Sequence, residues 1–272
     1  IPALWAADGW QVTECDGHDY DALYKAMKAA KEAPVPTVVL CKTTMGKGVS
    51  FMENIPDYHG KPAGGEKLEQ ALKELGSDIA VFNAALAERK GPLPRGRRVA
   101  PEKPALELGT PHTYTKEDKK DNRGAFGKAL AEVGALNYKK AGATPMLVFD
   151  CDLAGSVKVD GFAKACPDNY VEAGIQEHTT ATAAGAASAA GVVSVWADFG
   201  VFASDEVYNQ QRLNDINRAS AKTVLTHSGL DVGEDGMTHQ CIDYVGLFRN
   251  TFGWNVIVPA DPNQTDRATR WM

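Results

Sequence analysis

Residues 226–240 (THSGLDVGEDGMTHQ) place two imidazoles, His227 and His239, and three carboxylates, Asp231, Glu234 and Asp235, among three glycines, Gly229, Gly233 and Gly236. Imidazole gives or takes a proton near neutral pH more readily than any other side chain. Glycines at this density let the backbone approach a ligand closely. Upstream, in the run GIQEH, Glu177 enters a segment that is almost entirely Ala, Thr, Ser and Gly. A carboxylate there either caps a helix from the surface or is buried to act on something. Phe199 and Phe202, three apart in DFGVF, read by themselves as core packing.

These residues need a scaffold, and the pattern predicts α/β layers with parallel sheets. In the first part, strand 10–13, helix 20–33 capped by Asp19, and apolar strand 37–41 form one crossover unit. The helix would carry Leu23, Met27 and Ala30 on one face. The apolar run predicts a central strand covered on both sides. Helices are expected at 66–75 and at 78–90, the latter with Ile79, Phe82 and Leu86 aligned. Residues 91–122 hold five of the fourteen prolines and twelve charged residues, the composition of an extended surface linker in which Arg95, Arg97 and Arg98 are a solvated basic spot. A second pattern follows: helix 123–140 with Phe126, Leu130, Val133 and Leu136 on one face, strand 146–149, helix 176–190, strand 192–196, helix 205–218, and strands 223–225 and 255–258.

Composition bounds the rest. The 272 residues suffice for about two domains, and the net charge of −6 argues against nucleic acid or anionic membrane as the main partner. No apolar stretch is long enough to span a bilayer. Five cysteines without a C-x-x-C pair predict reduced, buried thiols and a cytoplasmic location. The chain opens at Ile1 and stops at Met272 inside an expected helix, so both ends look cut.

In order along the chain, G-I-x-E-H (174–178), F-x-x-F (199–202) and T-H-x7-D-G-x-T-H-Q (226–240), followed by VIVPADPNQT (256–265), resemble transketolase. So do TT-x-G-x-G at 43–48 and the His59-Gly60 pair. The resemblance covers nearly the whole chain. It implies that 1–90 is the later part of the diphosphate-binding domain, 91–122 the interdomain linker, and 123–272 the pyrimidine-binding domain, truncated at its end. The implied cofactor is thiamine diphosphate with a Mg or Ca ion whose ligands lie outside this chain. Glu177 would hold the aminopyrimidine ring in the tautomer that activates the thiazolium. Phe199 and Phe202 would stack on that ring, and Asp152 and Met45 would lie close to the cofactor. The implied reaction moves a two-carbon ketol unit from a ketose phosphate to an aldose phosphate in the pentose phosphate pathway. His239 and His59 would serve the sugar's hydroxyls and carbonyl, Asp235 a hydroxyl, and Arg123, Ser156 and His227 the sugar phosphate. The resemblance further implies a homodimer with its active site at the subunit interface. Three positions depart from the family pattern: Asp205 where an aromatic is usual, Gln176 where a basic residue is usual, and Met237 where proline is common. Alternatives are a related thiamine enzyme, such as deoxyxylulose-phosphate synthase or dihydroxyacetone synthase, and a non-catalytic subunit that keeps the fold.

Overall fold

The computed structural model describes residues 1–89 and 103–272. Contacts divide the chain into two compact units, Ile1–Val99 and Ala100–Met272. The expected basic spot at Arg95, Arg97 and Arg98 lies outside the described residues.

In the first unit, α1 (Pro2–Ala7) precedes strand β1 (Gln11–Asp16), helix α2 (Tyr20–Glu32) and strand β2 (Thr37–Lys42). The two strands pair in parallel, Gln11 opposite Thr37 and Cys15 opposite Cys41. Asp19 caps α2 by accepting from the amides of Asp21 and Ala22. Helices α3 (Glu66–Glu74) and α4 (Ile79–Glu88) follow. Two expectations are corrected. Strand β2 is only half-buried and pairs with β1 alone among the described residues, so an apolar run here does not mean cover on both faces. Met27 is exposed and Ala26 is the buried residue of α2, because the helix turns its small side chains toward the strands.

The second unit is a four-stranded parallel sheet in the order β4-β3-β5-β6, made of β3 (Met146–Asp150), β4 (Tyr170–Glu172), β5 (Val193–Phe199) and β6 (Lys222–Thr226). Its helices are α5 (Asn122–Asn137), α6 (Ala154–Val157), α7 (Asp160–Ala165), α8 (Glu177–Ala189), α9 (Tyr208–Ile216), α10 (Tyr244–Arg249) and α11 (Pro262–Trp271). Strand β5 is buried along its whole length, as a strand packed on both faces must be. Side chains alternate accordingly. Val148, Val195 and Ala197 pack with Phe126, Leu130 and Val133 of α5 and Phe162 of α7. Phe149 and Trp196 pack with Ala181 and Ala184 of α8 and with Val207.

Residues 103–115 have no regular structure and are pinned to this unit. Thr144 donates its amide to the Ala105 carbonyl at 2.9 Å, Asn137 exchanges bonds with the Glu107 backbone at 2.8 Å, and Tyr114 does so with Asn263. That use of α5 explains why Asn137 is buried while Leu136, expected on the core face, is 41% exposed. Residues 255–258 form no strand. Their β-branched side chains face solvent and the segment pairs with no neighbour among the described residues, so strand propensity has no ladder to act through. The expected helix at 205–218 is shorter, because residues 201–206 are wound as a π-helix just ahead of it.

The thiols are also less uniformly buried than expected. Cys151, Cys166 and Cys241 are buried, whereas Cys15 is half-buried and Cys41 exposed; all five are free.

Candidate active site

All four strands of the second sheet run the same way, so their carboxyl ends converge on one edge, where open α/β sheets bind ligands. At that edge stand Asp150 ending β3, Glu172 ending β4, Asp198 and Phe199 ending β5, and His227 just past β6. The first turn of α8 brings Glu177 to the same sheet, since α8 packs on β3 and β5.

The aromatic and imidazole residues gather tightly. Phe199 and Phe202 stack nearly parallel, 6.0 Å apart with 13° between planes. His227 lies 3.8 Å from the Phe199 ring, and His239 meets Phe202 edge-on at 5.3 Å. Phe199 closes β5 and Phe202 lies three residues on, in the π-helix that follows the strand. Arg123, from the first turn of α5, reaches His227 Nε2 at 3.0 Å and donates to the Ser156 carbonyl at 3.3 Å. As the Arg123 guanidinium can only donate there, His227 Nε2 accepts and the ring is neutral, with Nδ1 facing the Thr226 hydroxyl at 2.9 Å. Burial and the Arg123 charge hold His227 below the ordinary imidazole value, with Asp235 opposing. His227 has φ +52°, which an L-residue adopts at some cost and which aims its ring at the Phe199 face. The loop from 228 to 241 is closed at its base, where Gly229 donates to the Cys241 carbonyl at 2.7 Å and the Cys241 thiol sits 3.2 Å from the Ser204 hydroxyl.

Glu177 is buried, 8% exposed, as the first residue of α8, and none of the hydrogen bonds among the described residues involves its carboxylate. A buried carboxylate with free acceptor sites suits a ligand that brings donors. The remaining residues singled out from the sequence are placed less centrally. The Asp152 side chain is exposed at φ +62°, while its amide donates to Glu172. Ser156 is half-buried and contributes its carbonyl, and the hydroxyl takes no part in the Arg123 contact. Asp235 acts on His227 through its charge. Met45, 39% exposed, and His59, closing a short turn after Pro56–Tyr58, belong to the first unit. Among the described residues no group of three or more His, Cys, Asp or Glu side chains could hold a metal ion.

Sequence reasoning passed over Asp198. It is fully buried, with one oxygen accepting from the Phe199 amide at 2.7 Å and the other, Oδ2, without a partner. Burial first, then the charges of Glu177 and Asp150, push its carboxyl up to about 7, against the Phe199 amide and the Cys151 thiol. The one available signal was a carboxylate inside the apolar run VSVWADF. A testable consequence follows from linkage. Between the ordinary aspartate value near 4 and about 7, folded Asp198 keeps a proton that the unfolded chain releases. Stability should therefore fall as pH rises through that window. Asp198→Asn should flatten this slope in urea titrations at pH 4.5 and 7.5, and equal slopes in the two proteins would refute it.

Residues 118–272 match the family described as "Transketolase, pyrimidine binding domain", and residues 1–87 match "Transketolase, thiamine diphosphate binding domain". The chain belongs to the transketolase family. Mouse transketolase is 28% identical over 263 residues, covering 96% of this chain and 40% of that protein. The human transketolase-like protein 2 is 26% identical over 264 residues, with the same coverage. The crystal structure of transketolase from Campylobacter jejuni superposes with a TM-score of 0.70 at 23% identity, over 98% of this chain and 45% of that one. The chain thus has the fold of a transketolase and spans about two fifths of the length of the curated relatives. No helix among the described residues is long and apolar enough to cross a membrane.

Proposed function

We propose that the complete protein is a transketolase, transferring a two-carbon ketol unit between sugar phosphates with thiamine diphosphate and a Mg or Ca ion, as a cytoplasmic homodimer of the pentose phosphate pathway. The observation that carries this reading is Glu177, a buried residue whose carboxylate has free acceptor sites, on a sheet edge that also holds a stacked phenylalanine pair and two histidines. Those residues fit the cofactor's chemistry. An aminopyrimidine offers a flat face for Phe199 and Phe202 and ring and amino nitrogens for Glu177. When bound, thiamine diphosphate supplies a thiazolium carbon whose proton can be removed.

The chain's own residues have separable tasks in this reading. Glu177 holds a proton at the pyrimidine ring nitrogen, its carboxylate being free of partners among the described residues. Phe199 and Phe202 fix the ring plane. His239, edge-on to both rings, moves a proton at the sugar's hydroxyl or carbonyl oxygen, with His59 sharing that work and Asp235 accepting from a hydroxyl. Arg123, His227 and Ser156 serve the phosphate end, where Arg123 supplies the charge while His227 Nε2 and the Ser156 carbonyl, both accepting from Arg123, orient its guanidinium. Asp152 and Met45 line the cofactor.

His239→Ala should lower kcat/KM for sugar phosphates by about ten- to a hundredfold, the range for losing one positioned proton-transfer or charge-assisted contact. Thiamine diphosphate affinity should stay within about threefold. Unchanged kinetics would remove His239 from the site. The reading as a whole is tested by titrating the full-length protein with thiamine diphosphate and Mg and then assaying ketol transfer from a ketose phosphate. Saturable binding with transfer supports it. Binding without transfer would favour a non-catalytic relative, and transfer to an acceptor other than an aldose phosphate would favour a related synthase.

A further inference from the structure

The cluster least explained by this function lies beside it, at the carboxyl ends of β3 and β4. Asp150 and Glu172 are register partners on these adjacent parallel strands. The Tyr170 hydroxyl stands 3.1 Å from Asp150 Oδ2 and 3.1 Å from Glu172 Oε2, bridging the two carboxyls. Glu172 Oε1 accepts from the amide of Asp152 at 2.8 Å and from that of Gly174 at 2.9 Å, while Asp150 Oδ2 accepts from the Leu153 amide at 3.1 Å. Asp150 is fully buried, and its second oxygen has no partner.

Those amides belong to two different loops. One follows β3 and carries Asp152, at φ +62°; the other follows β4, turns at Gly174 and leads within three residues to Glu177. One carboxylate oxygen thus fixes both loops at once. We infer that Asp150 and Glu172 are positioning residues that share a single proton and clamp the Asp152 loop to the loop that delivers Glu177. This rests on the thiamine diphosphate reading of Glu177.

Two carboxyls on facing strand ends, one of them buried, repel when both are ionised. A proton held between them turns that repulsion into a hydrogen bond. Burial, then the Glu172 carboxyl, pushes Asp150 up to about 6. Burial acts against ionisation of Glu172 as well, but the Gly174 and Asp152 amides and the Asp150 carboxyl hold it below the usual range, so the shared proton resides on Asp150. The titratable groups around the pair are Tyr170 on β4, Cys151 next in the chain, Asp198 on β5 and, beyond Asp198, Glu177 on α8. As pH rises the proton leaves Asp150, which then faces an already ionised Glu172, and the loops are driven apart.

The test uses the full-length protein and two readouts. In amide hydrogen exchange, Glu172→Ala should speed exchange at Asp152 and Gly174 at least tenfold, while Glu172→Gln, whose side-chain oxygen still accepts from both amides, should keep them slow. In thiamine diphosphate titrations from pH 5.5 to 8, the wild-type Kd should rise with pH, and that of Asp150→Asn, which carries no titrating carboxyl, should stay flat within about twofold. Glu172→Ala should bind thiamine diphosphate at least tenfold more weakly, with Glu172→Gln restoring affinity at low pH. Unchanged exchange in Glu172→Ala, or an Asp150→Asn profile that follows the wild type, would overturn the clamp. A merely structural role would lower stability without flattening that profile. If the wild type binds no thiamine diphosphate, the functional reading fails, and the exchange data alone decide whether the clamp exists.

Discussion

Replacing Glu177 with glutamine in the full-length protein is expected to lower ketol transfer by roughly 10²–10⁴-fold, the span of a positioned acid–base group, while the fold is kept. Glutamine matches glutamate in size, so the packing at the start of α8 survives. It removes a negative charge that already repels Asp198 and that no hydrogen bond or ion pair among the described residues uses, leaving only its favourable position at the N-terminus of α8. What is lost is the ability to hold a proton against a heterocyclic nitrogen, since an amide is far too weak a base. A stability change below about 1 kcal/mol, the ordinary range for an isosteric change that breaks no bond, should accompany the loss. The check is steady-state turnover beside a urea titration. Near-native turnover would remove Glu177 from the chemistry, and a collapsed fold would show that its role is structural.

The second large effect concerns the frame. Arg270 in α11 is 5% exposed and donates to Asp266 Oδ1 at 2.7 Å, to Glu132 Oε2 at 2.6 Å and to the Leu108 carbonyl at 2.5 Å. One side chain therefore joins α11, α5 and residues 103–115. Asp266 is fully buried, so Arg270→Ala strands a charge in the interior. The expected loss is about 3–5 kcal/mol, the cost of breaking a buried pair by removing one partner. Arg270→Lys should recover only part of it, because an ammonium cannot serve three acceptors in the planar fork that guanidinium offers. Denaturant titrations of the wild type and both variants provide the measurement. A loss under about 1 kcal/mol in Arg270→Ala would mean that the pair is solvated. Since α5 also carries Arg123, a loosened α11 should weaken sugar-phosphate binding before the fold is lost.

Much of this was legible in the sequence, for reasons that differ element by element. The positions of β3 and β6 show in short apolar runs and that of α2 in its Asp19 cap, both local signals, although the face that α2 buries does not. The 226–240 loop by its composition alone reads equally as an ordinary polar loop, and it stands out only because G-I-x-E-H and F-x-x-F precede it in order along the chain. Register is not local. Asp150 and Glu172 lie twenty-two residues apart and become neighbours only when β3 meets β4, a strand too short and polar to stand out. Asp198 was hidden for the converse reason, as one acid in an otherwise apolar strand buried on both faces. The π-helix at 201–206 hides inside ordinary helical spacing, since no local signal in the sequence separates its wider turn from an α-helical one. At 255–258 a strand-like composition misled, because a strand requires a partner as well as a sequence.

The central claim is that Glu177 makes a carbon proton of the bound cofactor removable, and it can be measured at that atom. The measurement is the rate of deuterium exchange at the thiazolium C2 of thiamine diphosphate bound to the full-length wild type and to Glu177→Gln, by quenched-flow NMR. Exchange should be orders of magnitude faster on the wild type than for free cofactor and should fall back toward the free rate on the variant. Equal rates on the two proteins would contradict the account.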